Sequence, residues 1–197
     1  SLSIFSLDPK ECFKSLKGLS TKSLKNTSPI RPIMSLDKDD PRLVEGKDLN
    51  LDEGTNLAAM PWEDFEHLVA QIFELEFSKS GVEVKVTQVS RDRGVDAILF
   101  DPDPLKGGKY ILQAKRYTRT VDVASVRDLY GTVVNEGANR GILITTSSYG
   151  PDAYEFAKDK PITLIDGSNL LSIFEKHQMN YRIDLEEARL LNQDDDS

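Results

Sequence analysis

Asp96, Gln113 and Lys115 are the residues of this chain whose types and spacing could do chemistry together. Side chains on a strand alternate between faces, so Gln113 and Lys115, on either side of Ala114, point the same way if that stretch is extended. A hairpin pairing with the segment that begins near residue 96 would bring Asp96 beside them, at one edge of a sheet. A carboxylate, an amide oxygen and the Ala114 carbonyl are hard oxygen ligands suited to Mg²⁺. Lys115 could orient or help deprotonate an attacking water and offset negative charge growing on a phosphate. Phosphodiester hydrolysis is so slow without catalysis that a metal ion is a natural part of the solution.

Elements able to hold that arrangement are legible on both sides of it. Pro61 suits the first turn of a helix. Behind it Trp62, Phe65, Leu68, Val69, Ile72, Phe73 and Leu75 form an amphipathic stripe that predicts one buried face. Gly81 follows. Val82, Val84 and Val86, with Val89 as an extension, alternate with polar residues in the period of a half-buried strand. Val95–Phe100 and Tyr110–Lys115 read as two further strands, joined through a Pro- and Gly-rich turn. Helical periodicity returns at Val123, Val126, Leu129, Tyr130, Val133 and Val134. Gly141–Thr146 is continuously apolar and predicts a buried strand. A helix over Pro151–Lys158, a strand over Ile162–Ile165 and a helix from Ser168, as N-cap, to His177 complete the pattern. The expected fold class is α/β, with a mixed central sheet flanked by helices in the order αβββαβ.

The 197 residues suffice for one domain with a substantial core and a shorter appendage. Residues 1–56 are interrupted by Pro9, Pro29, Pro32 and Pro41 and read as an N-terminal arm or linker that could serve oligomerisation. A short helix over Pro9–Leu19 and an extended Thr21–Asp40 are expected within it. Residues 57–180 form the expected main domain and 181–197 an acidic C-terminal tail. No apolar run approaches the ~20 residues of a membrane span. No signal-peptide pattern precedes the domain, and a start at Ser1 rather than Met leaves room for an upstream piece. Cys12 stands alone, which excludes an internal disulfide and argues against a cysteine zinc site. A cytoplasmic setting is expected.

The net charge of −8 sits badly with a polyanionic partner until it is divided along the chain. Residues 51–80 carry −6 and 184–197 carry −5, whereas 106–140 carry +4. Such a basic strip can follow phosphates on an otherwise acidic protein, although a solvated helix face explains it equally well.

Longer stretches carry a resemblance. Pro61-Trp62-Glu63-Asp64-Phe65-Glu66, Ser90-Arg91-Asp92-Arg93-Gly94-Val95-Asp96 and Gln113-Ala114-Lys115-Arg116-Tyr117 stand in order. Val126-Arg127-Asp128-Leu129-Tyr130-Gly131, Gly141-Ile142-Leu143-Ile144-Thr145-Thr146-Ser147 and Leu164-Ile165-Asp166-Gly167 follow them. Together they resemble the Mrr-like restriction endonucleases, a branch of the PD-(D/E)xK nuclease superfamily, over about residues 60–177. The resemblance implies a restriction-endonuclease-like fold and a Mg²⁺-dependent DNA endonuclease, with Mn²⁺ as a substitute metal. Asp96 and the Ala114 carbonyl would bind the metal, Gln113 would hold a position usually given to an acid, and Lys115 would be the catalytic lysine. Glutamine there removes one negative charge, and Glu66 on the first helix is the residue to which the resemblance points for its replacement.

Arg116, Tyr117, Arg119 and Arg127 are candidate phosphate contacts, as are Thr146 and Ser147, with Thr145, at the end of a buried strand. Plain alternatives stand beside these roles: a solvent-facing Glu66, a turn Asp96, an edge-strand Lys115, surface arginines, and hydroxyls bonded within a turn. Asp92 is better suited to capping a turn than to metal binding, and His67 and His177 lack metal-ligand spacing. The expected partner is double-stranded DNA, met by a homodimer or larger assembly, with a separate recognition subunit allowed for. The rival functions are a repair or junction-resolving nuclease and a catalytically silent nucleic-acid-binding or assembly module.

Overall fold

The computed structural model describes residues 43–44, 51–77, 83–87, 96–103, 105 and 107–192. The expected helix at Pro9–Leu19, the extended Thr21–Asp40, Gly81, Val89, Asp92 and the Ser90–Val95 stretch lie outside the described residues.

Helix α1 (Trp62–Phe77) buries Phe65, Leu68, Val69, Ala70, Ile72 and Phe73 on one face. Pro61 precedes it and its carbonyl accepts the Phe65 amide at 3.0 Å. Glu63 and Asp64 in the first turn complement the helix dipole. The predicted stripe is broader than the buried one: Trp62 and Leu75 are exposed.

The sheet runs in the order β1-β2-β3-β4-β5-β6. Strand β1 (Leu43–Val44) is an edge strand from the expected arm, paired antiparallel to β2 (Glu83–Thr87). β2, β3 (Ala97–Asp101) and β4 (Gly108–Lys115) form an antiparallel meander. Then α2 (Val123–Asn135) leads to β5 (Arg140–Thr145), and α3 (Pro151–Ala157) leads to β6 (Ile162–Ile165); β5 and β6 run parallel to β4. Helix α4 (Gly167–Lys176) follows, and α5 (Leu185–Asn192) closes the described chain. The N-cap of α4 is Asp166 rather than the expected Ser168, since the Asp166 carboxylate accepts the Asn169 amide at 2.9 Å. Aspartate at that position satisfies an orphan amide and also meets the positive end of the helix dipole.

Alternation along the central strands sorts their side chains into two cores. Ala97, Leu99, Leu112, Ala114, Ile142 and Ile144 pack with α1 and α4, while Ile98, Ile111 and Leu143 pack with α2 and α3. Covering both faces explains why these strands read as continuous apolar runs. Because β4 pairs antiparallel to β3 and parallel to β5, the start of β3 and the ends of β4 and β5 share one rim.

Residues 181–197 are expected as an acidic tail, but their described part is docked. Asn56 and Arg182 form a parallel bridge, and Ala188 of α5 is fully buried. The expected boundary between residues 56 and 57 likewise falls beside Asn56, which is itself buried. Among the described residues no helix is long and apolar enough to cross a membrane.

Two glycines report on how tightly the rim is packed. A Cβ at Gly167 would lie 2.4 Å from the Thr146 carbonyl oxygen, whereas one at Gly131 would meet nothing within 4 Å. Gly167→Ala is expected to cost about 1–3 kcal/mol, while Gly131→Ala on the exposed face of α2 stabilises by roughly 0.5–1 kcal/mol. Urea unfolding of the two variants checks the opposite signs.

Candidate active site

Asp96 stands immediately before β3 and is held from both ends by β4. Its amide donates to the Leu112 carbonyl at 3.0 Å, and its carboxylate Oδ2 accepts the Ala114 amide. The expected pairing of Asp96 with the Gln113–Lys115 strand is therefore observed. Its expected position at a sheet edge is corrected: β4 lies in the interior of the sheet, and the site sits at the strand ends where the antiparallel and parallel halves meet. A central strand is anchored on both sides, so it presents its last side chains more rigidly than an edge strand would.

Gln113 is buried and its Oε1 has no hydrogen-bond partner. Oε2 of Glu66, on the second turn of α1, has none either. A buried polar atom without a partner loses its solvation with nothing in return, a cost of about 1–3 kcal/mol. Gln113 stands two residues before Lys115 on β4, and Glu66 is within electrostatic reach of Asp96 and Lys115, so both unpartnered oxygens are carried by elements that meet at this rim.

Electrostatics say the same. Burial pushes the Glu66 carboxyl up to about 8, helped by the negative charges of Asp96 and then Glu63 and opposed by Lys115. Burial likewise pushes Asp96 up to about 7, against the pull of the Ala114 amide and Lys115. Glu66, Asp96 and Lys115 are thus within electrostatic reach of one another, although α1 and β4 are remote in sequence. Two carboxylates in one poorly solvated space cannot both ionise without a compensating cation.

The donor set fits a hard divalent metal. It offers carboxylate and amide oxygens and no thiolate or imidazole, which suits Mg²⁺ or Mn²⁺ over zinc. Among the described residues no group of three or more His, Cys, Asp or Glu side chains is placed to hold an ion.

The flanking candidates divide. The Lys115 ammonium lies 5.4 Å from the centre of the Tyr117 ring, so Tyr117 belongs to the site's wall. Arg116 Nη1 donates to the Ala58 carbonyl at 3.0 Å, tying β4 to the turn before α1. Arg119 is exposed at the rim. Arg127 lies on α2 with its guanidinium 5.5 Å from the Phe156 ring. Thr145, Thr146 and Ser147 are all buried. The Thr146 hydroxyl donates to the Tyr117 carbonyl at 2.7 Å, and Thr145 Oγ1 accepts the Ser147 amide at 3.2 Å. The Thr145 and Thr146 hydroxyls thus hold the strand ends, and Ser147 joins them through its backbone amide. His177 contacts Glu76 at 2.8 Å, a surface pairing that includes Lys176. Glu63 is the contributor that sequence reading passed over, yet it sits three residues before Glu66, the spacing that puts two residues on one helix face.

A consequence for stability follows from the signs. An acid whose folded pKa is raised holds its proton in the native state where the unfolded chain releases it, so stability falls as pH rises from the ordinary carboxylate range through the folded value. In EDTA the protein is therefore expected to lose stability between about pH 5 and 8. Glu66→Gln should flatten that loss and be the more stable form at pH 8, by roughly 1 kcal/mol once solvent screening is allowed for. Mg²⁺ should stabilise the native protein more at pH 8 than at pH 5.5. Thermal unfolding at both pH values checks this, and parallel curves for the two proteins would contradict it.

Comparison with known proteins places this geometry. Residues 57–174 match the Mrr_cat restriction endonuclease family. The type IV methyl-directed restriction enzyme EcoKMrr of Escherichia coli strain K12 is 32% identical over 89 residues, 45% of this chain and 29% of that enzyme. The chain thus spans less than a third of the length of that curated relative. Among solved structures, the AF1548 protein of unknown function is similar with a TM-score of 0.48 and 15% identity, over 60% of this chain and 67% of that one. The MspJI restriction endonuclease, solved with a 27-mer oligonucleotide, has a TM-score of 0.43 and 21% identity, over 69% of this chain and 32% of its own. The family match takes in α1 through most of α4, and with them Glu66, Asp96, Gln113, Ala114 and Lys115. The chain carries the restriction-endonuclease-like α/β fold and belongs to the Mrr_cat restriction endonuclease family.

Proposed function

We propose that this chain is a metal-dependent endonuclease module that hydrolyses phosphodiester bonds of duplex DNA, as the cleavage part of a restriction-type defence system in the cytoplasm. The observation that supports this reading is the buried Glu66, its Oε2 unpartnered, within electrostatic reach of Asp96 and Lys115, with Gln113 carrying a second unpartnered oxygen on the strand that Lys115 ends. Family membership supports the nuclease part.

Glu66, Asp96, Gln113 and the Ala114 carbonyl would hold Mg²⁺, which when bound supplies Lewis-acid stabilisation of charge on phosphate oxygens. The remaining work falls to the chain. Asp96 is oriented by the Ala114 amide, so the carboxylate needs no rearrangement when substrate arrives. Gln113, neutral and buried, gives an oxygen without adding charge to a site already too negative for a phosphate. The Lys115 ammonium supplies the opposite charge at the end of β4. It can hold a non-bridging phosphate oxygen and orient the attacking water through its N–H donors. Exposed Arg119 is the flanking arginine best placed to meet a neighbouring phosphate.

One site cuts one strand, so duplex scission calls for a second copy or an assembly, and a separate element would supply recognition. The methyl-directed relative makes modified DNA the first substrate to try. Linear, supercoiled, methylated, branched and single-stranded substrates should be incubated with and without divalent metal. Cleavage is expected with Mg²⁺ or Mn²⁺ and should stop in EDTA. Lys115→Ala should slow it by about 10²–10⁴-fold while DNA binding and folding persist. Undiminished cleavage by that variant would remove Lys115 from the chemistry, and failure of the native protein to bind Mg²⁺ in calorimetry would overturn the metal-dependent reading.

A further inference from the structure

We infer that the C-terminal helix α5 is a positioning element of the active site, acting through Arg189 on the backbone that leaves β4. The inference rests on the nuclease reading above, because it concerns how Lys115 is aimed. Helix α5 lies beyond the matched family span of 57–174.

Lys115 forms the last pair of the β4–β5 ladder, opposite Thr145. Beyond it the direction of the chain depends on what holds residues 116–118, and three separate elements do so. Arg116 Nη1 donates to the Ala58 carbonyl at 3.0 Å, Thr146 Oγ1 donates to the Tyr117 carbonyl at 2.7 Å, and Arg189 Nη2 donates to the Thr118 carbonyl. The two guanidinium bonds, from Arg116 and Arg189, are charge-assisted and stronger than a neutral bond.

Helix α5 is itself rigidly seated. Asn56 is buried and uses its whole hydrogen-bonding capacity. Its Nδ2 donates to the Asp184 carbonyl at 2.9 Å and to Glu187 at 2.7 Å, and its Oδ1 accepts the amides of Ala58 at 3.1 Å and Asp184 at 3.0 Å. The Asp184 carboxylate caps the helix by accepting the Glu186 amide at 3.0 Å and the Glu187 amide at 2.9 Å. Arg182 pairs with Glu187 at 2.6 Å. Ala188 is fully buried, so the neighbouring Arg189 extends from a fixed turn. The Ala58 turn and α5 thus form one hydrogen-bonded unit through Asn56, and both arms of that unit grip the exit of the catalytic strand. A misplacement of about 1 Å at a reacting group can cost on the order of 10²-fold in rate.

The test compares Arg189→Ala and Arg189→Lys in the full chain by two independent readouts. Amide hydrogen exchange at residues 117–119 reads the tether whether or not the protein cuts DNA. Single-turnover cleavage reads its catalytic effect. Arg189→Ala should exchange about 10-fold faster there and cleave about 10-fold more slowly. Its affinity for duplex DNA should be unchanged and its Tm should stay within about 2 °C. Arg189→Lys should recover most of both. Unchanged exchange overturns the tether, and unchanged cleavage with faster exchange overturns its catalytic role. Weaker DNA binding at an unaltered rate would make Arg189 a phosphate contact and also overturn the proposal. If the native protein cuts no substrate in Mg²⁺, the nuclease reading fails, and with it the catalytic role; exchange then reports on the tether alone.

Discussion

The domain is arranged around an electrostatic conflict: two carboxylates, Glu66 and Asp96, share a partly dry space at the end of a strand that also carries an unpartnered amide oxygen. Left alone the arrangement is unfavourable, since each negative charge disfavours the other and burial disfavours both. A folded protein tolerates such a cluster only when the surrounding structure over-determines it and when something outside the chain relieves it. Perturbed acids of this kind concentrate at functional sites, where the destabilisation prepares the site for its ligand. Lys115 resolves part of the conflict, and under the proposed function a divalent cation would resolve the rest.

The frame that enforces the conflict is the meeting of two kinds of sheet. Strand β4 is paired antiparallel on one side and parallel on the other, and both faces of its inner residues are buried. Neither a slip of register nor a rotation of the strand is available without exposing one of the two cores. Asp96 is hydrogen-bonded to that strand through its amide and its carboxylate. Glu66 arrives from a helix whose other face is sunk in the first core. The acids are close because the apolar faces beneath them leave no alternative.

Polar groups elsewhere at the rim serve to hold backbone. The Thr146 hydroxyl holds the Tyr117 carbonyl, Thr145 Oγ1 holds the Ser147 amide, and Arg116 Nη1 holds the Ala58 turn. Gly167 lets α4 approach the end of β5 so closely that its amide reaches the Ser147 carbonyl at 2.9 Å. Such contacts commit polar side chains to holding backbone, which sets the geometry of the site in advance.

Local pattern in the sequence determined much of this protein. Period-3.6 recurrence placed α1, period-2 alternation placed β2, apolar runs placed the central strands, and the Asp96…Gln113-Ala114-Lys115 spacing marked two segments that pair. Those signals are legible because each depends on neighbours within one element. Glu66 was legible only by resemblance, since helix spacing alone allows it to face solvent. The tertiary structure alone decided that Asn56 would be a buried link to Asp184 and Glu187, 128 and 131 residues away. It alone decided that the Thr146 hydroxyl would be committed to the Tyr117 carbonyl and that the acidic C-terminal stretch would contain a docked helix. A hydroxyl, an amide or a run of acids has the same identity in water and in a core. Which environment it meets is set by chain segments too distant for any local pattern to report.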